Sequence, residues 1–260
     1  CAVTLTATDN STPTFAGSAS FTWTVTGAVT VTNPGTQTNV TGSAITTLTI
    51  AATDNSAGAT KSFAASGLPA GLAINATTGA ITGTPTTPGT STVTITVTDN
   101  ATPQNSGTAT FTWTITNTVT VTNPGAKSNV TGTAITTLTP TATDTQTGAT
   151  LTWAATGLPA GLTIASATGA ITGTPTTPGV YTVTVSATDG AAYSGSASFT
   201  WTVTNTVTVT APATQNSTSG TAITALSVTA SDTQTGATKT FTATGLPVGL
   251  AISTAGSITG

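Results

Sequence analysis

Charged side chains are scarce in this 260-residue sequence. There is no glutamate, arginine or histidine, the six acidic residues are all aspartate, and three lysines are the only basic side chains. The charged fraction is 3%, against about a quarter in an ordinary soluble domain. Because no basic patch exists, the chain lacks the electrostatic footprint of a nucleic-acid-binding protein. Disordered chains combine low hydrophobicity with high net charge, whereas this chain is 37% hydrophobic with a net charge of −3, which indicates a folded protein.

The same scarcity limits the chemistry that the chain can perform. Acid–base and nucleophilic catalysis need positioned titratable groups, and histidine, the commonest of them, is missing. Cys1 is the only cysteine, so it has neither a disulfide partner nor a histidine to activate it. We therefore predict that this segment is not an enzyme, has no catalytic residue and binds no cofactor. No apolar run reaches the roughly 18 residues of a membrane-spanning helix.

What the chain does contain is a long internal repeat. The motif GLPxGL and the motif FTWT each occur three times, with successive copies 90 and 88 residues apart. The motifs begin at Gly67, Gly157 and Gly245 for GLPxGL, and at Phe21, Phe111 and Phe199 for FTWT. This constant phase predicts two whole units and two partial ones. Residues 28–117 and 118–205 are the whole repeats, residues 1–27 match the end of a repeat, and residues 206–260 match its first part.

Almost every segment alternates polar and apolar residues with the period of a β-strand, as in Tyr181-Thr-Val-Thr-Val185. Threonine, about 30% of the chain, favours strands because its branched side chain suits a pleated surface. Short strands separated by turn signals predict an all-β sandwich. In the second whole repeat, strands are predicted near residues 118–122, 128–134, 136–143, 149–156, 161–165, 169–173, 180–188 and 195–204.

The inward-facing residues of these strands form the predicted core. In the second whole repeat the core comprises Leu138, Leu151, Trp153, Leu158, Leu162, Ile164, Ile171, Val183, Val185, Phe199, Trp201 and Val203. Phe63 and Phe241 replace Trp153 in the other repeats. Single residues separate the last strand of one repeat from the first strand of the next: Gly27, Asn117 and Asn205. Because a flexible linker is missing, we predict that successive repeats form a stiff rod.

The pattern GLPAGLTI followed by TGAITGTPTTPGVYTVTVSATD resembles the immunoglobulin-like He-PIG repeats, relatives of cadherin-like modules, of bacterial and archaeal surface proteins. The resemblance covers the whole chain. It implies tandem β-sandwiches of about 90 residues in an extracellular or cell-surface protein. It also implies a structural role in a filament, stalk or surface layer, or alternatively an adhesin repeat that binds a glycan or another cell surface.

The aspartates are the natural candidates for metal ligands, because cadherin-like modules often bind calcium between repeats. They form two sets at equivalent positions: Asp54, Asp144 and Asp232 in one, and Asp9, Asp99 and Asp189 in the other. Calcium prefers six to eight oxygen ligands with several carboxylates, and each whole repeat offers two aspartates and no glutamate. We therefore favour the interpretation that each aspartate caps a turn after a strand, and we predict no metal site.

The lysines also have two interpretations. They could form intramolecular isopeptide bonds, as in some Gram-positive surface domains, or they could guard strand edges against pairing. Lys61 and Lys239 are equivalent, but Leu151 occupies that position in the middle repeat, so edge protection, or a lysine that extends its charged end from the core to solvent, is favoured over the isopeptide bond. The third lysine is Lys127.

A glycan-binding site usually displays exposed aromatic rings, and almost all aromatics here share the inward parity. Tyr193, in the loop after Asp189, is the expected exception. The dense outward threonine face could itself carry O-linked sugar. Six Asn-x-Ser/Thr sequons occur, which is no more than chance gives in a chain so rich in serine and threonine.

The two partial repeats are complementary. Residues 206–260 lack the last two strands of a sandwich, and residues 1–27 supply such a pair, with apolar Val3, Leu5, Phe21, Trp23 and Val25. The first expectation is that the segment belongs to a continuous covalent array. The alternative is a donor-strand polymer, in which the first hairpin of one copy completes the last sandwich of the next. In both cases the expected partner is the chain itself, head to tail.

Overall fold

The computed structural model describes residues 1–24 and 27–260, and Val25 and Thr26 lie outside the described residues. Within those ranges every regular element is a β-strand, so the predicted all-β class is confirmed. The chain divides into two compact units. Unit 1 comprises Cys1–Asn117 with Thr145–Thr147, and unit 2 comprises Thr118–Asp144 with Gly148–Gly260.

Unit 1 contains a hairpin and a complete sandwich. Its strands are β1 (Ala2–Thr8), β2 (Ala16–Thr22), β3 (Val29–Val31), β4 (Gln37–Val40), β5 (Leu48–Thr49), β6 (Ala52–Asp54), β7 (Lys61–Ser66), β8 (Leu72–Ile74), β9 (Ala80–Gly83), β10 (Gly89–Asp99) and β11 (Ser106–Thr116). Strands β1 and β2 pair only with each other. The sandwich has a four-stranded sheet in the order β4-β11-β10-β7, opposed by the smaller sheets β3-β6 and β5-β9-β8.

Unit 2 begins with a sandwich of the same design. Its strands are β12 (Val119–Val121), β13 (Lys127–Val130), β14 (Ala142–Asp144), β15 (Thr152–Thr156), β16 (Leu162–Ile164), β17 (Ile171–Gly173), β18 (Gly179–Thr188) and β19 (Ser194–Thr204). The four-stranded sheet has the order β13-β19-β18-β15. Strand β13 runs parallel to β19, and the other pairs of this sheet are antiparallel.

The remainder of unit 2 is half a sandwich. Its strands are β20 (Val207–Thr210), β21 (Leu226–Ser227), β22 (Thr229–Asp232), β23 (Ala251–Ile252) and β24 (Ser257–Thr259). They form the sheets β20-β22 and β21-β24-β23, which correspond to the smaller sheets of a whole repeat. Residues 215–218 and 240–244 correspond to β13 and β15, but they are not strands here. The four-stranded sheet is therefore missing from residues 206–260.

Each whole repeat has its own hydrophobic core. Along β18, fully buried Val183 and Val185 alternate with exposed Thr182 and half-buried Thr184, as the two-residue period predicts. Trp201 is 1% exposed, and its indole Nε1 donates a 2.9 Å hydrogen bond to the Asn129 side-chain oxygen. Trp113 makes the same bond to Asn39. The asparagine oxygen therefore gives a hydrogen-bond partner to the indole N–H, which is the only polar group of the buried tryptophan side chain.

The predicted core of the second whole repeat is confirmed: its residues are either buried or packed against the buried cluster. The same cluster contains Val119, Val121 and Ala187, which were not among the predicted core residues. The strand predicted over 136–143 is wrong. Leu138 forms an isolated bridge to Ile171, whereas β14 pairs with β12 in a different sheet. The chain passes from one sheet to another here, as it does between β5 and β6 of unit 1, where Ile50 stands in the place of Pro140.

Candidate functional site

The turn after β10 is built around a buried carboxylate. Asp99 is 2% exposed. Its oxygens accept backbone N–H bonds from Asn105 at 2.7 Å and Ala101 at 3.3 Å. They also accept side-chain bonds from Asn105 Nδ2 at 2.8 Å and Ser56 Oγ at 2.9 Å. These donors, the Asn105 side chain first, lower the pKa of Asp99 below its ordinary value, because they stabilise the charged form.

An aspartate also holds the turn at the end of each of the other two long hairpins, although the Asp189 turn is shorter. Asp9 accepts bonds from the Phe15 N–H at 2.8 Å and the Ser11 hydroxyl at 2.8 Å, and these bonds lower its pKa. Asp189 accepts the backbone N–H groups of Ala191 at 2.9 Å and Tyr193 at 2.7 Å. All three carboxylates hold the backbone of the turn that joins two strands of a hairpin, so their turn-capping role is confirmed.

The second set of aspartates ends a shorter strand in each repeat. Asp54, Asp144 and Asp232 are the last residues of β6, β14 and β22, and each lies opposite the first valine of its repeat. The Ser56 N–H donates to Asp54 at 2.8 Å, and the Gln234 N–H donates to Asp232 at 2.7 Å. These two are turn caps as well. Across residues 1–24 and 27–260, no three His, Cys, Asp or Glu side chains are grouped to hold a metal ion.

The junction residue Asn117 is the centre of a hydrogen-bond network within unit 1. Thr41 and Thr145 donate their hydroxyls to Asn117 Oδ1 at 2.9 and 2.5 Å. The backbone N–H of Gln146 donates to the same oxygen at 3.0 Å. Thr41 and Asn117 are both buried. Gly42 follows at φ +73°, and a Cβ there would lie 2.3 Å from the Thr145 carbonyl oxygen.

Unit 2 repeats this network around Asn205. Its Oδ1 accepts from Thr131 at 3.1 Å and from Thr233 at 2.7 Å. It also accepts the Thr206 N–H at 2.9 Å, and the Thr131 and Thr233 hydroxyls lie 2.9 Å apart. Three segments that are distant in sequence therefore meet at one residue. Such a network restrains the chain where the whole repeat of unit 2 continues into residues 206–260.

The sequence identified the junction residues Asn117 and Asn205 but not their threonine partners. Thr41 and Thr131 lie 76 and 74 residues before the asparagines that they bond. The sequence does contain one indication of their role: both threonines occur in the motif Asn-Val-Thr-Gly, at equivalent positions of the two whole repeats.

The aromatic side chains offer little surface for stacking against a sugar in the whole repeats. Tyr193 is half-buried and packs against the core cluster of unit 2. The expectation that it is an exposed exception is therefore wrong, because the Asp189 turn folds it inward. Exposed aromatics do occur in hairpin β1-β2, at Phe15, Phe21 and Trp23.

The lysines lie at the edges of their sheets or in loops. Lys61 begins the edge strand β7 and is half-buried, as expected of a residue that guards an edge. Lys127 donates from Nζ to the Pro124 carbonyl oxygen at 2.7 Å. Lys239 is half-buried in a segment that is not a strand. No helix of the described residues is long and apolar enough to cross a membrane.

Fold and junctions together define a tandem β-sandwich repeat protein. The family described as "Putative Ig domain" (He_PIG) matches residues 28–116 and 117–204, so the chain belongs to this family of immunoglobulin-like domains. The resemblance stated from the sequence is confirmed. The limits proposed for the partial repeats, 1–27 and 206–260, stay a prediction.

Curated relatives with this sequence pattern are large proteins. A protein named "Serine-rich adhesin for platelets" from Staphylococcus aureus strain MRSA252 is 35% identical over 165 residues, which is 64% of this chain and 12% of the relative. The protein of that name from strain MSSA476 is also 35% identical over 64% of this chain and 7% of its own length. This chain therefore spans only a small part of the relatives it matches.

Similar solved structures are cadherin ectodomains. Repeats EC21–23 of human CDH23 cover 87% of this chain and 89% of that chain, at 20% identity and a TM-score of 0.36. Repeats EC1–4 of Drosophila N-cadherin cover 99% of this chain and 74% of that chain, at 14% identity and a TM-score of 0.34.

Proposed function

We propose that this chain is a repeat segment of an extracellular, adhesin-type surface protein, in which the sandwiches act as structural spacers of a filament, stalk or surface layer. The observation that carries the proposal is the junction network, built twice from the same residues around Asn117 and Asn205. When equal units are stacked with restrained junctions, each added unit increases the length of the protein. Such an arrangement suits a protein that must extend far from the cell surface. A stiff rod is the arrangement that we propose.

The surface of the sheets supports a passive role. The outward faces of β10, β11, β18 and β19 carry mainly threonine and serine, and some hydroxyls pair across strands, as Thr184 and Ser198 do at 2.8 Å. Hydroxyl groups bind water and keep the surface polar without adding charge. Such a surface suits a spacer that should not attract charged molecules. The relatives are named as adhesins, and this supports placing the chain outside the cell.

A second candidate function is direct adhesion to a glycan or another cell surface, as the name of the relatives suggests for those proteins. The inward packing of the aromatics in the two whole repeats favours the spacer function over direct adhesion.

Nucleic acid remains an unsuitable partner, because only three basic side chains are present. We also propose that the aspartates hold turns without calcium, since those of the long hairpins already accept several N–H and O–H donors.

Small-angle scattering tests the spacer proposal. The segment 28–205 contains both whole repeats, and a matched variant carries a flexible Gly-Ser linker inserted after Asn117. We expect the natural junction to give an extended particle with a narrow distribution of dimensions, and the linker variant to give a broad one. The profile should be the same in calcium and in EDTA. Identical profiles for the two proteins would contradict the restrained junction, and a change in EDTA would contradict the calcium-free turns.

A further inference from the structure

The two whole repeats differ at one inward-facing position near the start of β10 and β18. In unit 2 this residue of β18 is Tyr181, and its Cα partner on β19 is Trp201. In unit 1 the equivalent residue of β10 is Ser91, and its Cα partner on β11 is Trp113. Both Tyr181 and Ser91 are half-buried. A large aromatic side chain is therefore replaced by a small hydroxyl side chain in one of two otherwise similar sandwiches.

In unit 2 the ring of Tyr181 lies over the loop that precedes β18. Its hydroxyl donates a 3.0 Å hydrogen bond to the Thr177 carbonyl oxygen. A Cβ built on Gly179 would lie 3.3 Å from a carbon of the ring. The side chain also packs against the core cluster of the repeat. The loop and the core therefore provide apolar contacts and a hydrogen-bond acceptor for one phenol ring.

In unit 1 the equivalent space is open. A cleft of about 330 Å³, the Ser91 cleft, lies between the GLPxGL turn and the loop before β10. Among the described residues, no atom lies within 4 Å of a Cβ built on Gly89, the counterpart of Gly179. The residues that line the cleft are uncharged, and they include Leu68, Pro69, Thr87, Pro88, Ser91 and Ile115. The replacement of tyrosine by serine thus leaves a gap whose other walls are kept.

The twin repeat indicates which group fits this gap. Protein interiors are packed about as densely as organic crystals, and a cavity made by deleting a large side chain binds small aromatic molecules such as benzene. The equivalent space of unit 2 holds an aromatic ring with a hydroxyl group. Thr87 stands in the place of Thr177, and a carbonyl acceptor at this point selects a ligand with a hydroxyl donor. Because the walls are uncharged, they favour a neutral molecule.

We propose that the Ser91 cleft binds a small, neutral phenol, whose hydroxyl donates to the Thr87 carbonyl oxygen. In the orientation of Tyr181, the ring carbon opposite the hydroxyl points at the strand, where the Ser91 side chain stands. A substituent on that carbon would meet the strand. The ligand is therefore a free phenol and not the tyrosine side chain of a partner protein. This site goes beyond the proposed spacer role and does not depend on it.

Titration of the full chain with phenol tests the site, followed by the NMR signals of methyl groups. We expect saturable shifts of the Leu68 and Ile115 methyl signals with a Kd on the order of 1–10 mM, as the binding energy available to so small a ligand allows. The equivalent Leu158 and Val203 should not respond, because Tyr181 fills their space. Shifts that do not saturate, or equal shifts in both repeats, would overturn the proposal.

Two reciprocal substitutions give the sharpest result. Ser91→Tyr should fill the cleft and weaken phenol binding at least about tenfold, since packed space admits no ligand. Unit 2 already carries tyrosine at this position, so we expect the variant to fold. Tyr181→Ser should open the twin cleft and add saturable shifts at Leu158 and Val203. Thr92→Tyr is the matched control, because Thr92 is exposed and a ring there should leave binding unchanged.

The pattern across these variants decides the proposal. Unchanged binding in Ser91→Tyr, or no new binding in Tyr181→Ser, would overturn it. N-acetyltyrosinamide, which carries the phenol on a peptide unit, should bind at least about tenfold more weakly than phenol, since its substituent overfills the cleft. Equal affinity for the two molecules would overturn the assignment to a free phenol. These outcomes are independent of the scattering result, which reports the junction and not the cleft.

Discussion

Replacing Trp201 with alanine is expected to lower the free energy of unfolding of the whole repeat in unit 2 by about 3–5 kcal/mol, as deletion of a large buried aromatic does. Trp201 is fully enclosed, and its ring lies 5.9 Å from that of Phe199. The substitution removes packing and also leaves Asn129 Oδ1 without its indole donor. The cavity and the unsatisfied acceptor act in the same direction.

Trp23→Ala is the matched control, because Trp23 occupies the same position of the FTWT motif but is largely exposed. In dilute, monomeric protein this variant should change stability by less than about 1 kcal/mol, as surface substitutions usually do. Denaturation followed by circular dichroism measures both, and hydrogen exchange assigns each change to its repeat. Equal losses for the two variants would show that burial at Trp201 is not what stabilises the repeat.

Replacing Gly161 with alanine is expected to destabilise the same repeat by about 2–4 kcal/mol. Gly161 is the second glycine of GLPxGL and has a φ of +89°. A Cβ at this position would lie 2.1 Å from the Thr174 carbonyl oxygen. The Thr174 N–H in turn donates to the Gly161 carbonyl oxygen at 3.2 Å. Alanine would therefore be strained by its own dihedral angle and would also push apart two backbone segments that are bonded together.

Gly148→Ala separates these two causes. Gly148 has a similar φ of +78°, but no atom lies within 4 Å of a Cβ built on it. We expect it to cost only about 1 kcal/mol, the usual cost of a left-handed backbone conformation. The measurement is the denaturation midpoint of the two variants in the same protein. If Gly148→Ala is as damaging as Gly161→Ala, the close backbone approach does not explain why GLPxGL recurs.

Local patterns were sufficient to predict most of the sandwich. The alternation around Val183 and Val185 determines which face is buried, because a strand places successive side chains on opposite sides. The same rule could not show that the chain changes sheets between Leu138 and Ala142, since both residues remain inward-facing. It also could not anticipate Tyr193, whose orientation depends on the turn that Asp189 holds.

The alternation of polar and apolar residues along the strands cannot predict the junction networks. Asn205 was identified as the residue between two strands, but its function depends on Thr131 and Thr233, which come from other parts of the chain. These contacts are polar and join residues that are far apart in sequence. Neither the periodicity of apolar residues nor the positions of turn-forming residues can therefore predict them. Only the shared repeat phase of Thr41 and Thr131 hinted at a common role.

We expect the whole repeats to act as spacers that do not themselves bind a glycan or another cell. The most direct measurement is the binding of segment 28–205, displayed in many copies on a bead, to a broad glycan array and to intact cells. This segment omits the hairpin that carries the exposed aromatics Phe15, Phe21 and Trp23. The account predicts no binding above that of a bare bead. Saturable binding with a Kd of about 1 μM, equivalent to about 8 kcal/mol, would contradict it and make direct adhesion the function of the repeats.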